Sequence, residues 1–212
     1  MTKLNLSRRT VVGGLAATGV ALTGQAGSAQ GAPVRVGELN SYSRMAAFAV
    51  PYRNGMQLAV EQINAAGGLA GLNNRPLEIV FRDDGSTPGD AVRVAEELLT
   101  RENVSFIAGA FLSNVGLALA DFANQKKVLY LATEPLTDAL TMASGNPYTF
   151  RVRPGTYMQT KMLVDASKAK GIKRWAIVAP NYEYGQSAAA AFKKLMGAAV
   201  PGFEVVAEQF PA

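Results

Sequence analysis

Between Asn54 and Leu99 the apolar positions change period twice. Met56, Ala59, Val60 and Ile63 fall at i, i+3, i+4 and i+7, the stripe of a helix packed on one side. Gly67 and Gly68 follow where a helix needs a left-handed residue to stop. Leu77, Ile79 and Phe81 then recur at every second position, which is strand spacing, and Asp83 and Asp84 close that strand. Thr87-Pro88-Gly89-Asp90 spells a helix start, with Thr87 as N-cap, Pro88 in the first turn and an acid three residues past the cap.

The same alternation continues on either side. Val34 to Leu39 predicts an opening strand, and a polar and aromatic loop from Asn40 to Val50 leads into the first helix. Ser105 to Gly109 predicts the third strand. A helix over Asn114–Gln125 carries Val115, Ala118, Leu119 and Phe122 on one face, and Val128 to Leu131 predicts the fourth strand. A short helical piece follows Pro135, and Tyr148 to Arg151 reads as a strand leaving this unit through Arg153-Pro154-Gly155. Beyond it come a helix from about Tyr157 to Lys170, a strand over Arg174–Ala179, a helix from about Gly185 to Met196 and a strand over Phe203–Phe210. Strands alternating with helices demand right-handed crossovers and a parallel sheet covered on both faces. The expected class is therefore α/β, doubly wound, with one lobe over residues 33–150 and the beginning of a second over 151–212.

Composition narrows what this fold can do. The 212 residues contain no histidine and no cysteine, which excludes Ser-His-Asp catalysis, thiolate nucleophiles, disulfides and His or Cys metal ligands. Asp83 and Asp84 are the best placed acids, but neighbours on a strand point to opposite faces and make a poor acid–base pair. We expect them to close the strand and bond into the loop, and we expect no catalytic residues, metal or cofactor.

The first 29 residues stand apart. Lys3, Arg8 and Arg9 precede a small and apolar run from Val11 to Leu22, too short to span a bilayer, and Ala26-Gly27-Ser28-Ala29 suits a signal peptidase. Ser7-Arg8-Arg9 followed by Val11-Val12 resembles a twin-arginine export signal, with the ordinary secretory route as the alternative. Removing this segment leaves 18 basic against 16 acidic residues, so the formal charge of +5 is no argument for nucleic acid. The cluster Lys168, Lys170, Lys173 and Arg174 reads as a solvated helix end.

LAVEQINAAGG, a strand ending in DD, and TPGDAVRVAEELL occur here in that order, followed by FIAGAFLSNV, YTFRVRP and NYEYGQSAA. This succession resembles the periplasmic solute-binding proteins that serve branched-chain amino acid ABC transporters. The resemblance implies a type I periplasmic binding fold whose two lobes close over a small-molecule solute, and a membrane permease as partner. It also implies an expected monomer at full length, in the periplasm. Because that family's proteins run to about twice this length, the chain reads as their N-terminal part. A sensory receptor domain of the same fold is the alternative role.

In an open parallel sheet, ligands bind outside the carboxyl ends of the strands. Ser113, opening the third helix, is placed as an N-cap whose surroundings favour an anion; the resemblance places the family's carboxylate-binding serine on it, with Asn114 as an amide neighbour. In the loop Ala132-Thr133-Glu134-Pro135, Thr133 offers a hydroxyl, while Glu134 either takes a ligand amine or faces solvent. Phe48 matches an aromatic that packs on the ligand, or else belongs to the core, and Tyr42 assists it. Tyr184 matches the tyrosine with which the second lobe closes. The acid that the family carries shortly after its FR strand is missing from Arg153-Pro154-Gly155-Thr156-Tyr157, which argues against an ordinary amino acid ligand and leaves aromatic carboxylates, amides and urea open.

The twin arginine yields a direct test. Replacing Arg8 and Arg9 by lysine is expected to hold the precursor inside the cell, as seen by fractionation and immunoblot; unchanged export in a strain without the twin-arginine machinery would assign the ordinary route.

Overall fold

A computed structural model describes residues 31–211; the expected export signal over residues 1–29 lies outside them. Among the described residues, seven strands and five helices follow one another: β1 (Val34–Asn40), α1 (Ala46–Ala65), β2 (Leu77–Asp83), α2 (Pro88–Thr100), β3 (Phe106–Gly109), α3 (Ser113–Lys126), β4 (Tyr130–Ala132), β5 (Thr149–Arg151), α4 (Thr156–Ala169), β6 (Arg174–Val178), α5 (Glu183–Ala199) and β7 (Glu204–Gln209). Short 3₁₀ turns occupy Ala70–Leu72 and Asp138–Leu140.

The first five strands form one parallel sheet in the order β2-β1-β3-β4-β5, and β6 pairs with β7 in a second, two-stranded parallel sheet. From β1 the chain steps outward to β2 and then back past β1 to β3. With right-handed crossovers, α1 therefore lies on one face and α2 and α3 on the other. The α2/α3 face holds the core: Leu39 and Ile107 from the sheet meet Ala91, Val94, Ala95 and Leu98 of α2 and Val115, Leu119 and Phe122 of α3.

Local signals behave as their chemistry requires. The Thr87 hydroxyl accepts from the Asp90 N–H at 3.2 Å and caps α2. Gly67 and Gly68 stop α1 at φ of 101° and 88°. Asp83 accepts from the Ser43 and Gly85 amides, and Asp84 from the Ser41 hydroxyl and the Ser86 amide, so both acids fasten the strand to its loops as expected.

Three expectations need correction. The first helix starts at Ala46, so Phe48 lies in its first turn and the preceding loop is shorter than read. Pro51 sits inside that helix, where it lacks an N–H to bond one turn back, and it masked the helix start in the sequence. Ala59 of the expected stripe is exposed; Met56, Val60 and Ile63 are partly covered, and Ala49 is the one fully buried residue of α1. The fourth strand is Tyr130–Ala132 rather than Val128–Leu131, because Lys127 takes a left-handed conformation and the chain first turns away from α3.

Gly109 ends β3 at φ 110°, and a Cβ there would lie 2.1 Å from the Leu39 carbonyl oxygen of the neighbouring strand. Gly109→Ala is expected to destabilise the fold by at least ~1–3 kcal/mol, the scale of backbone strain alone, read as a lower urea midpoint. An unchanged midpoint would mean that the strand end yields freely.

Candidate functional site

The strand order turns at β1 and β3, and the connections leaving their carboxyl ends diverge there, opening a crevice above the sheet. Phe48, Phe111, Ser113, Glu134, Leu136, Arg153, Tyr182 and Tyr184 line a cleft of about 350 Å³ at this edge. Four of the seven residues singled out in the sequence, Phe48, Ser113, Glu134 and Tyr184, thus meet in one place. Further hollows lie on the α4/β6 face, which shares Tyr184 with this cleft, between α4 and α5, and beside α3 at Asp121 and Asn146.

Ser113 is 1% exposed and heads α3, but it caps nothing: Leu112 is the N-cap residue and makes no side-chain bond to the helix. Its Oγ accepts instead from the backbone N–H groups of Leu136 and Thr137, each at 3.2 Å. Sequence could not foresee this, because the donors belong to a loop 23 residues onward. With its oxygen engaged twice as acceptor, the serine keeps only its O–H to offer. Among the described residues nothing accepts that hydrogen, so it is available to an acceptor in the cleft.

Glu134 does not face solvent. Its side chain is 11% exposed; the Asn40 side-chain amide donates to Oε2 at 3.0 Å, and Arg153 stands 3.7 Å from Oε1. Burial pushes the Glu134 carboxyl up, while Asn40 and Arg153 oppose that shift. Arg153 was read only as a connection, yet it is the one basic side chain among the described residues lining the cleft.

The walls are aromatic. Phe48 and Phe111 pack with ring centroids 5.3 Å apart, and Tyr182 and Tyr184 with centroids 6.1 Å apart. Phe48 remains 58% exposed, so it is no core residue. Phe111, Leu136 and Tyr182 escaped the sequence reading. Both aromatics stand beside positions already chosen, which was the available signal.

The other three candidates are turned elsewhere. Thr133 accepts from the Tyr52 hydroxyl at 3.0 Å. Asn114 does not line the cleft, and its Oδ1 is buried without a partner among the described residues. Tyr42 packs edge-on against Phe81 and donates its hydroxyl to Glu38.

Glu38 itself was missed. It sits on β1 at 0% exposure, with Oε2 bound by Tyr42 and Oε1 without a partner among the described residues. Burial drives its carboxyl up to about 8, and the nearby carboxylates of Asp84 and Glu134 add to the rise. In VRVGELN it reads as a polar position of an alternating strand, but β1 is central and covered on both faces.

Residues 33–212 match the family model described as periplasmic binding protein. The Leu/Ile/Val-binding protein homolog 3 of Brucella melitensis is 28% identical over 150 residues, 70% of this chain and 39% of that protein. A solute-binding protein of an ABC transporter from Rhodopseudomonas palustris, solved with p-hydroxybenzoic acid, superposes with a TM-score of 0.73 at 28% identity, covering 84% of this chain and 47% of the other. The branched-chain amino acid transporter substrate-binding protein LivJ of Streptococcus pneumoniae, solved with isoleucine, gives 0.72 at 27% identity, with 85% and 50% covered. The chain thus spans about half the length of these solved relatives and less of the curated one.

The buried Glu38 has a consequence for stability. Its folded pKa lies above the unfolded value, so the stability it permits is full at low pH and falls as pH rises from about 4.5 through about 8. Glu38→Gln removes that titration. Urea unfolding between pH 5 and 9 is expected to show wild type losing stability over this window and the variant losing less. Parallel profiles would place the Glu38 pKa back in the ordinary range.

Proposed function

Because residues 33–212 belong to the periplasmic binding protein family, we propose that this chain is the solute-capturing component of an ABC importer, exported to the periplasm with its signal removed near Ala29. It binds a small carboxylate-bearing solute between two lobes and delivers it to a membrane permease without chemical turnover. Closure over the solute is a population shift, favoured by contacts to both lobes at once.

The observation that carries this reading is the Ser113 hydroxyl. Its oxygen is occupied by two backbone donors, so a ligand group at Ser113 has to be an acceptor. Arg153 lies in the same cleft and supplies positive charge for a carboxylate.

Within that class, the lining favours an aromatic acid over an α-amino acid. Glu134 is the one acid lining the cleft among the described residues, and its two oxygens already face Asn40 and Arg153, which leaves poor provision for an ammonium group. The paired rings of Phe48/Phe111 and Tyr182/Tyr184 suit a flat apolar body. The R. palustris relative solved with p-hydroxybenzoic acid supports this choice, and LivJ with isoleucine marks the competing one.

Calorimetry on the full-length protein, against benzoate, 4-hydroxybenzoate, leucine and valine, is the test. A hydrogen bond to a charged group is typically worth ~1.5–3 kcal/mol, so Ser113→Ala is expected to weaken binding of the preferred acid by roughly 10- to 150-fold. Tight binding of leucine or valine, untouched by Ser113→Ala, would overturn both the ligand class and the site.

A further inference from the structure

Thr137 follows the β4 loop and is fully buried, although every one of its polar atoms is in use. Its N–H donates to Ser113 Oγ. Its carbonyl accepts from Arg151 of β5 at 2.9 Å. Its hydroxyl accepts from the Ala139 amide and donates to Glu183 Oε1 at 2.6 Å. One threonine therefore joins the cleft serine to the first turn of α5, which belongs to the other sheet. Asp138, next in sequence, accepts from the Thr156 hydroxyl and the Tyr157 amide at the start of α4, each at 2.7 Å.

Glu183 suits this contact for its own reasons. It lies in the first turn of α5, where the helix N-terminus favours a carboxylate. Tyr184, which lines the cleft, is its neighbour in the chain. A charge-assisted bond at 2.6 Å forms only while the α5 terminus stands against the Thr137 loop, so it marks the lobes-together arrangement.

We propose that Thr137 is a positioning residue that couples the ligand-facing Ser113 to lobe closure, its hydroxyl latching Glu183 while its amide fixes the serine oxygen. The latch deepens the proposed function in one respect, since its effect on affinity rests on the cleft at Ser113 being the binding site. Its effect on lobe separation needs no ligand. Thr137→Val keeps shape and amide but loses the hydroxyl, so the serine stays held and the α5 end of the second lobe is freed while the Asp138 bonds to α4 remain.

The chain lacks cysteine, so spin labels at Gln125→Cys on α3 and Lys170→Cys beyond α4, both exposed, report one interlobe distance without interference. By double electron–electron resonance without ligand, Thr137→Val and Glu183→Leu are each expected to broaden and lengthen the distribution. Thr137→Ser and Glu183→Gln, which retain a donor and an acceptor, should stay near wild type. The double variant Thr137→Val/Glu183→Leu should open no further than either single change, because both remove the same bond. Circular dichroism checks that each variant is folded, and the Glu183 variants carry the test if Thr137→Val is not.

Calorimetry with 4-hydroxybenzoate forms the second arm. Thr137→Val and Glu183→Leu should each weaken binding about tenfold, and Ser113→Ala should weaken it as well. Distances in Thr137→Val and Glu183→Leu identical to wild type would overturn the latch. So would normal affinity in both variants alongside a loss in Ser113→Ala. If 4-hydroxybenzoate does not bind wild type, the proposed aromatic acid fails, and the distances alone decide the latch.

Discussion

Two backbone amides in the loop after β4, those of Leu136 and Thr137, are drawn inside the protein, and a buried N–H without an acceptor is costly. Both are met by the single hydroxyl of Ser113. That shared acceptor holds the start of α3 against the loop leaving β4, and it dictates the serine's remaining chemistry. The crevice between the diverging connections would exist without it, as a result of strand order. Its polar end would not have a fixed direction.

The neighbouring residues extend this constraint outward. Gly116, one turn into α3, has no room for a side chain, since a Cβ there would sit 2.5 Å from the Pro135 ring. The helix and loop therefore touch along two residues on the same face, Ser113 by hydrogen bonding and Gly116 by close approach. Behind them lies a second polar layer, in which Glu38, Asn40 and Tyr42 of the β1 end meet Tyr52, Thr133 and Glu134. Glu134 is the member of this layer that reaches the cleft, and such layers fix geometry when nearly every member is satisfied.

Much of the fold was legible because its signals are local. Element order, the Thr87–Asp90 cap and the paired glycines each depend on residues a few places apart and are found as read, whereas the faces inferred for α1 and β2 are not, since Ala59 is exposed and Val80 is the buried residue of β2. The cleft was half legible. Phe48, Glu134 and Tyr184 are there for the reason that loops after parallel strands converge, yet the partners that define them come from distant segments. Ser113 shows the limit best: a serine ahead of an apolar helix looks like a cap, and only the folded loop reveals a stronger claim on its oxygen. Glu38 was hidden by the opposite effect, because an acid in a strand looks solvent-facing until the strand proves central. Arg153 was passed over because a proline and a glycine beside it suggested nothing but a turn.

The proline inside α1 separates the two halves of the cleft mechanically. Pro51 cannot bond back to the first turn, so the segment carrying Phe48 is tied to the remainder of its helix by fewer bonds than an uninterrupted helix would supply. Phe48 itself stands mostly in solvent, whereas Ser113 is clamped from two sides. Phe48, alone among the aromatic walls, is thus held less firmly than the polar end. Under the proposed function, such a receptor is strict about the head of its solute and lenient about its tail: one acid group is obligatory, and ring substituents of different width are accommodated by a single protein.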